Sequence, residues 1–134
     1  MLYLETEINM KKVISTTNAP AAIGPYSQAI LSNNTLYCSG QIAIDVKTGN
    51  LVIDNITKET TQVIQNIAAI LKAVDMDFSN VVKCSIFMKS MDDYAKINKV
   101  YAKYFGENPP AREAVQVSVL PKNVNIEISV IAVH

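Results

Sequence analysis

One guanidinium and one carboxylate, Arg112 and Glu127, are placed where they could do chemistry together. Arg112 leads into a run of small and β-branched residues, Ala114-Val-Gln-Val-Ser-Val-Leu120. Glu127 sits in a second run, Asn125-Ile-Glu-Ile-Ser-Val-Ile-Ala-Val133, and Pro121-Lys-Asn-Val124 divides the two. Such runs around a Pro/Asn turn predict two strands. Side chains alternate between faces along a strand. Val115, Val117 and Val119 then form one apolar face, and Ile126, Ile128 and Val130 another. Arg112, in step with Ala114 and Gln116, falls on a polar face, as does Glu127. A guanidinium grips a carboxylate through two parallel charge-assisted hydrogen bonds, a fork that lysine cannot reproduce. A fixed carboxylate can orient water and take its proton. The pair could therefore hold an acidic metabolite and a water. The plainer expectation is that polar groups on the outer face of a half-covered sheet are simply solvated.

Composition narrows the chemistry. The chain has 134 residues, 49% hydrophobic and 18% charged, which suits one domain with a proper core and excludes disorder. Twelve basic residues balance twelve acidic ones, so there is no electrostatic footprint for nucleic acid or an anionic membrane. No segment approaches the roughly 18 consecutive apolar residues of a membrane helix. The one histidine is the last residue, His134. Ser-His-Asp and Cys-His sites need an internal imidazole, and zinc sites draw on clustered His and Cys. Acid–base work falls instead to carboxylates, tyrosines, backbone groups or the substrate. Cys38 and Cys84 lie in expected strands and read as buried free thiols of a cytoplasmic protein. Residues 1–9 precede Met10-Lys-Lys12, which itself resembles a start. They lack the features of a signal peptide and read as an extension without function, leaving a domain over 10–134.

The elements that must position the pair follow in order. Residues 12–15 form a short strand, and 17–26, with two prolines and a glycine, form a structured loop. Residues 27–32 and 35–39 make a hairpin about Asn33-Asn34, since asparagine tolerates the positive φ of a tight turn. Gly40 ends the second strand, and a turn is expected over 47–50. From 57 to 74 the apolar residues recur at three and four: Val63, Ile64, Ile67, Ile70, Leu71 and Val74. That period predicts an amphipathic helix, capped by Asp54, Asn55 or Thr57. Residues 81–88 form a strand with Val82, Cys84 and Ile86 on one side. A second helix spans 92–105, with Ser90 and Asp93 as a capping box and Gly106 as its stop. Its core side is Tyr94, Ile97, Tyr101, Tyr104 and Phe105. The order βββ-α-β-α-ββ predicts an α+β fold in which both helices cover one sheet face. The other face, expected to carry Arg112 and Glu127, is either solvated or buried against another subunit.

Four motifs in order then carry a resemblance: Asn18-Ala-Pro-Ala-Ala-Ile-Gly-Pro-Tyr26, Cys38-Ser-Gly-Gln-Ile42, Pro110-Ala-Arg112 and Ile126-Glu-Ile128. From about Met10 to His134 the chain resembles the RidA/YjgF family of reactive-intermediate deaminases. The resemblance implies a chorismate-mutase-like fold: one six-stranded mixed sheet with two helices on one face. It implies a homotrimer with ligand pockets in the clefts between subunits. It further implies cofactor-free hydrolysis of enamines and imines, such as 2-aminoacrylate, 2-iminopropanoate and 2-iminobutanoate, to 2-oxo acids and ammonia. By position, Arg112 matches the family's carboxylate clamp and Glu127 the glutamate that positions the attacking water. Tyr26, Ser39, Gly40, Asn98 and Tyr101 match positions that line or support the pocket.

Two departures stand out. Ala114 occupies a position where many relatives carry cysteine, so only its backbone N–H could serve the substrate. Glu113 replaces a usually small residue; alternation sends it away from Arg112, but a bend in the strand would let it pair with the guanidinium. An imine carbon is already electrophilic, so a carboxylate that orients water, worth about 10²–10⁴-fold, suffices without histidine. The alternative is a non-catalytic trimer that binds 2-oxo acids as a regulator. Ribonuclease activity, attributed to some relatives, is opposed by the neutral charge and the lack of an internal histidine.

Overall fold

The computed structural model describes residues 10–134, and the extension expected at 1–9 lies outside them. Strands β1 (Lys12–Ile14), β2 (Ala29–Ser32), β3 (Thr35–Gln41), β4 (Val81–Met88), β5 (Ala111–Gln116) and β6 (Ile126–Val133) build one mixed sheet, ordered β1-β2-β3-β6-β4-β5. Helices α1 (Ile56–Lys72) and α2 (Tyr94–Phe105) pack on one of its faces. This is the expected α+β architecture, and topology explains the single covered face. β3 and β4 both run antiparallel to β6 and hence parallel to each other, with α1 as their crossover. β4 and β5 are parallel, with α2 as theirs. Right-handed crossovers taken in the same direction across a sheet leave their helices on the same side.

The helices form where their periodicity places them. Asn55 is the cap that α1 uses: its side chain accepts from Lys58 N at 2.9 Å. α1 buries Val63, Ile64, Ile67, Ile70 and Leu71, each worth about 1.5–3 kcal/mol, while Val74 lies past its end, partly buried. α2 buries Ile97, Val100, Tyr101 and Phe105, with Tyr94 and Tyr104 half-buried beside them. Ser90 accepts from Asp92 N and so caps a 3₁₀ turn, Met91–Asp93, rather than the α-helix. Asp93 makes no capping bond, and α2 begins at Tyr94. Asn33 (φ 49°) and Asn34 (φ 67°) form the expected two-residue hairpin turn. Cys38 and Cys84 are buried free thiols; burial pushes Cys38 up to about 12. Among the described residues no helix is long and apolar enough to cross a membrane.

Three strand readings need correction. β3 does not end at Gly40 but continues to Gln41 through a bulge, since Cys38 pairs with Val130 and Gln41 with Ile128. A second irregularity sets Val81 opposite Ala132 and Lys83 opposite Ile131, which turns Val82 outward and puts Val81 in the core. The apolar face of β5 is reversed. The strand stops at Gln116, Val115 is 41% exposed and Val119 66%, while Arg112 and Ala114 turn inward. The neighbouring strand decides this: Arg112 sits opposite Cys84 and Ala114 opposite Ile86, both in the core. The uncovered face carries an apolar row through Val13, Ile30, Tyr37 and Ile131, which are paired across β1, β2, β3 and β6.

Candidate active site

Arg112 and Glu127 lie on opposite faces of the sheet, which overturns the expectation that both occupy the uncovered one. Glu127 is paired with Phe87 of β4, whereas Arg112 is paired with Cys84 and Cys84 with Val130, on the helix-covered side. β4 runs between their two strands, so roughly 10 Å of sheet separates the backbones. Side chains cannot meet through a packed sheet. Each group therefore has its own surroundings.

Glu127 looks into a cleft of about 550 Å³ with Tyr26, Ser39, Gly40, Ile23 and Lys122. A Cβ on residue 40 would lie 2.7 Å from Glu127 Cδ and 2.9 Å from Oε1. Glycine is needed there for space, so that the carboxylate can lie across β3 at the bulge. Ser39 Oγ donates to Ser27 O at 2.6 Å, and Ser39 N donates to Gln28 O at 2.9 Å, which ties β3 to the loop bearing Tyr26. Tyr26 itself is exposed. Burial pushes the Glu127 carboxyl above its usual range. Among the described residues no lysine or arginine pairs with it.

Three buried polar side chains hold the walls of this cleft. Glu59 accepts from Asn125 N at 2.8 Å and from Asn125 Nδ2 at 2.7 Å, fixing the residue that leads into β6. Asn66 Nδ2 donates to Ile42 O and Ile44 O, both at 3.0 Å. Gln28 accepts from Thr16 N at 2.7 Å and donates to Pro20 O at 2.8 Å. The sequence reading missed all three. Glu59 and Asn66 share the buried stripe of α1, and a polar residue in such a stripe was the signal available.

Arg112 lies against α2. Its Nη2 donates to Tyr94 Oη at 3.0 Å, and the guanidinium carbon sits 4.8 Å from the Tyr101 ring centroid and 5.7 Å from that of Tyr94. Cation–π contact of this kind holds the charge without neutralising it. Asn98, Tyr101 and Arg112 wall a recess of about 360 Å³ with Phe105, Pro109 and Pro110. Among the described residues, Asn98 Oδ1 and the Tyr101 hydroxyl are buried beside it without a hydrogen-bond partner. Burial pushes the Tyr101 phenol up, whereas Asn98, then the nearby guanidinium, lowers that of Tyr94. Ala114 is on the same face as Arg112, packed against the core. Glu113 points the other way, pairing with Lys83 Nζ at 2.8 Å and bonding Ser85, so it leaves the guanidinium alone. Among the described residues no cluster of His, Cys, Asp and Glu could hold a metal.

Fold and site together define a class: an α+β sheet with a guanidinium over aromatic rings at one edge and a carboxylate over a glycine on its bare face. The family model described as Endoribonuclease L-PSP matches residues 16–134, and the chain belongs to this family, the RidA/YjgF family. A RutC family protein of Pyrococcus horikoshii is 55% identical over 92% of this chain and 98% of its own. The 2-iminobutanoate/2-iminopropanoate deaminase of Mus musculus is 47% identical over 93% of each chain. The crystal structure of E. coli TdcF with bound serine is similar with a TM-score of 0.89 and 35% identity, covering 92% of this chain and 99% of that one.

Proposed function

We propose that this protein is a cytoplasmic hydrolase that deaminates small 2-imino acids to 2-oxo acids and ammonia, at sites completed between the subunits of a homotrimer. The observation that carries the reading is the division of the site. Among the described residues, one face holds a guanidinium that pairs with no carboxylate, and the other a carboxylate that forms no ion pair. Two copies join the halves when the Arg112 recess of one meets the Glu127 cleft of the next. The apolar row on the uncovered face supplies surface for that association. The name of the mouse relative and the serine bound to TdcF both suit a small ligand with an amino-acid-like carboxylate.

The chemistry asks little of the protein. Arg112 takes the substrate carboxylate in a bidentate grip and so fixes the imine carbon. Glu127 orients a water and accepts its proton as the oxygen bonds to that carbon; the raised carboxyl makes it a better base than an ordinary glutamate. That proton passes to the imine nitrogen to give a carbinolamine; its hydroxyl proton is then transferred to the amino nitrogen as the C=O bond of the 2-oxo acid forms, the C–N bond breaks and ammonia leaves.

The test is to generate 2-aminoacrylate with a serine dehydratase and trap it with semicarbazide. Added protein should lower the trapped yield, and Arg112→Ala should remove that effect with the assembly intact. Glu127→Gln should keep 2-oxo acid binding and slow turnover by about 10²-fold. An unchanged yield from a protein that binds 2-oxo acids would establish the regulatory alternative instead.

A further inference from the structure

Arg112 is the chain's only arginine, and its surroundings are more specific than a carboxylate clamp requires. Tyr94, Asn98 and Tyr101 are spaced four and three along α2, so they share the helix face that meets β5. Tyr101 offers its ring as a floor, and Tyr94 offers its oxygen to one Nη2 hydrogen. A guanidinium has five N–H donors in a rigid plane, and a carboxylate takes two of them. An acceptor on one Nη2 hydrogen thus leaves a paired N–H edge free while stopping the plane from turning. The type of acceptor matters. An Asp or Glu in the place of Tyr94 would neutralise the guanidinium and compete with the substrate; a neutral phenol holds it and leaves the charge to the ligand.

We propose that Tyr94 is a positioning residue: its hydroxyl fixes the guanidinium plane of Arg112 so that the incoming carboxylate meets a fork already in orientation. The proposal rests on the reading of Arg112 as the substrate clamp. Tyr94 acts on binding rather than on the chemical step, because its hydroxyl reaches Arg112 and Asn98 on the covered face and not Glu127 on the other. Removing the hydroxyl frees rotation of the guanidinium and returns that cost to substrate binding.

Tyr94→Phe is the test, since it keeps the half-buried ring and removes one oxygen. KM for 2-iminopropanoate and Kd for 2-oxobutanoate should both rise about three- to tenfold, with kcat within twofold of wild type. Placed on Arg112→Lys, the same substitution should add no further penalty, because the fork it orients is gone. A loss confined to kcat, or an equal loss with and without Arg112, would overturn the proposal. A second readout does not depend on the reaction. With one arginine in the chain, its side-chain N–H resonances in the ligand-free protein are unambiguous. Tyr94→Phe should collapse distinct Nη signals into exchange-averaged ones. Unchanged Nη signals would refute the positioning role even if the protein turned over every substrate offered. Collapsed signals in a protein that neither binds nor hydrolyses these acids would uphold Tyr94 and reject the clamp.

Discussion

The two half-sites are built in different ways. The Arg112 recess comes from one stretch of chain, α2 and the strand that follows it, within residues 94–112. The Glu127 cleft gathers the 20–28 loop, the bulged end of β3, the segment after it and the turn before β6. The first is held by ring faces and one hydroxyl, the second by three buried polar side chains acting on distant backbone. The electrostatics differ likewise. Aromatic faces and a neutral acceptor hold the guanidinium, while burial pushes the Glu127 carboxyl towards its neutral form. The difference suits the proposed roles: a clamp must be charged before substrate arrives, whereas a base must be able to take a proton.

The largest expected effect comes from emptying the local half. Arg112→Ala removes a charge-assisted bidentate partner and should lower kcat/KM by about 10²–10³-fold, read by the semicarbazide assay. Glu113→Gln, one residue along on the opposite face, should leave kcat/KM as it is. Equal losses in the two variants would mean that strand β5 rather than the guanidinium was at fault.

Mixing tests whether the halves come from different chains. Arg112→Ala and Glu127→Gln should each be about 10²-fold or more impaired alone, yet subunit exchange between them should restore about a quarter of wild-type activity, since random assortment reunites intact halves at that fraction of interfaces. No recovery in verified mixed assemblies would place both groups of each working site on one chain.

Gly40→Ala probes the non-local half more gently. The added methyl must displace the Glu127 carboxylate, the end of a flexible side chain that can give way at little cost in stability. The expected result is a fall of about tenfold in kcat with 2-oxo acid affinity within threefold of wild type. Equal damage to both would mean that the cleft also contributes to carboxylate binding.

The same contrast explains what could be read in advance. β6 was legible because it is the central strand of a half-covered sheet: Ile126 and Ile128 had to go in, so Glu127 had to come out. β5 misled because it is an edge strand. Its one valine, Val115, belongs to the bare face, and Arg112 buries its stem under α2 between the rings. Counting by two also fails at bulges, where one extra residue reverses the faces, and that moved both the end of β3 and the side taken by Val82. The helices were legible because their period is local, and Tyr94 stood four residues before Asn98 in plain view. The use of its hydroxyl was not, because that depends on a strand which arrives later in the chain.

The smallest effect should appear in stability. Burial raises the Glu127 carboxyl in the folded chain, so the folded state binds this proton more tightly than the unfolded state does. Its contribution to stability is then fully present below the unfolded value, near pH 4.3, and is lost as pH rises through the folded value. Glutamine does not titrate. On an Arg112→Ala background, Glu127→Gln should melt about one to two degrees above its parent at pH 7, with the gap closing as pH falls below about 4. Half-exposure keeps it small, because water screens the group. With Arg112 present the gap at pH 7 should shrink or reverse, because in the proposed assembly the next subunit's guanidinium would stabilise the ionised carboxylate. A gap indifferent to Arg112 would mean that the two halves never approach each other.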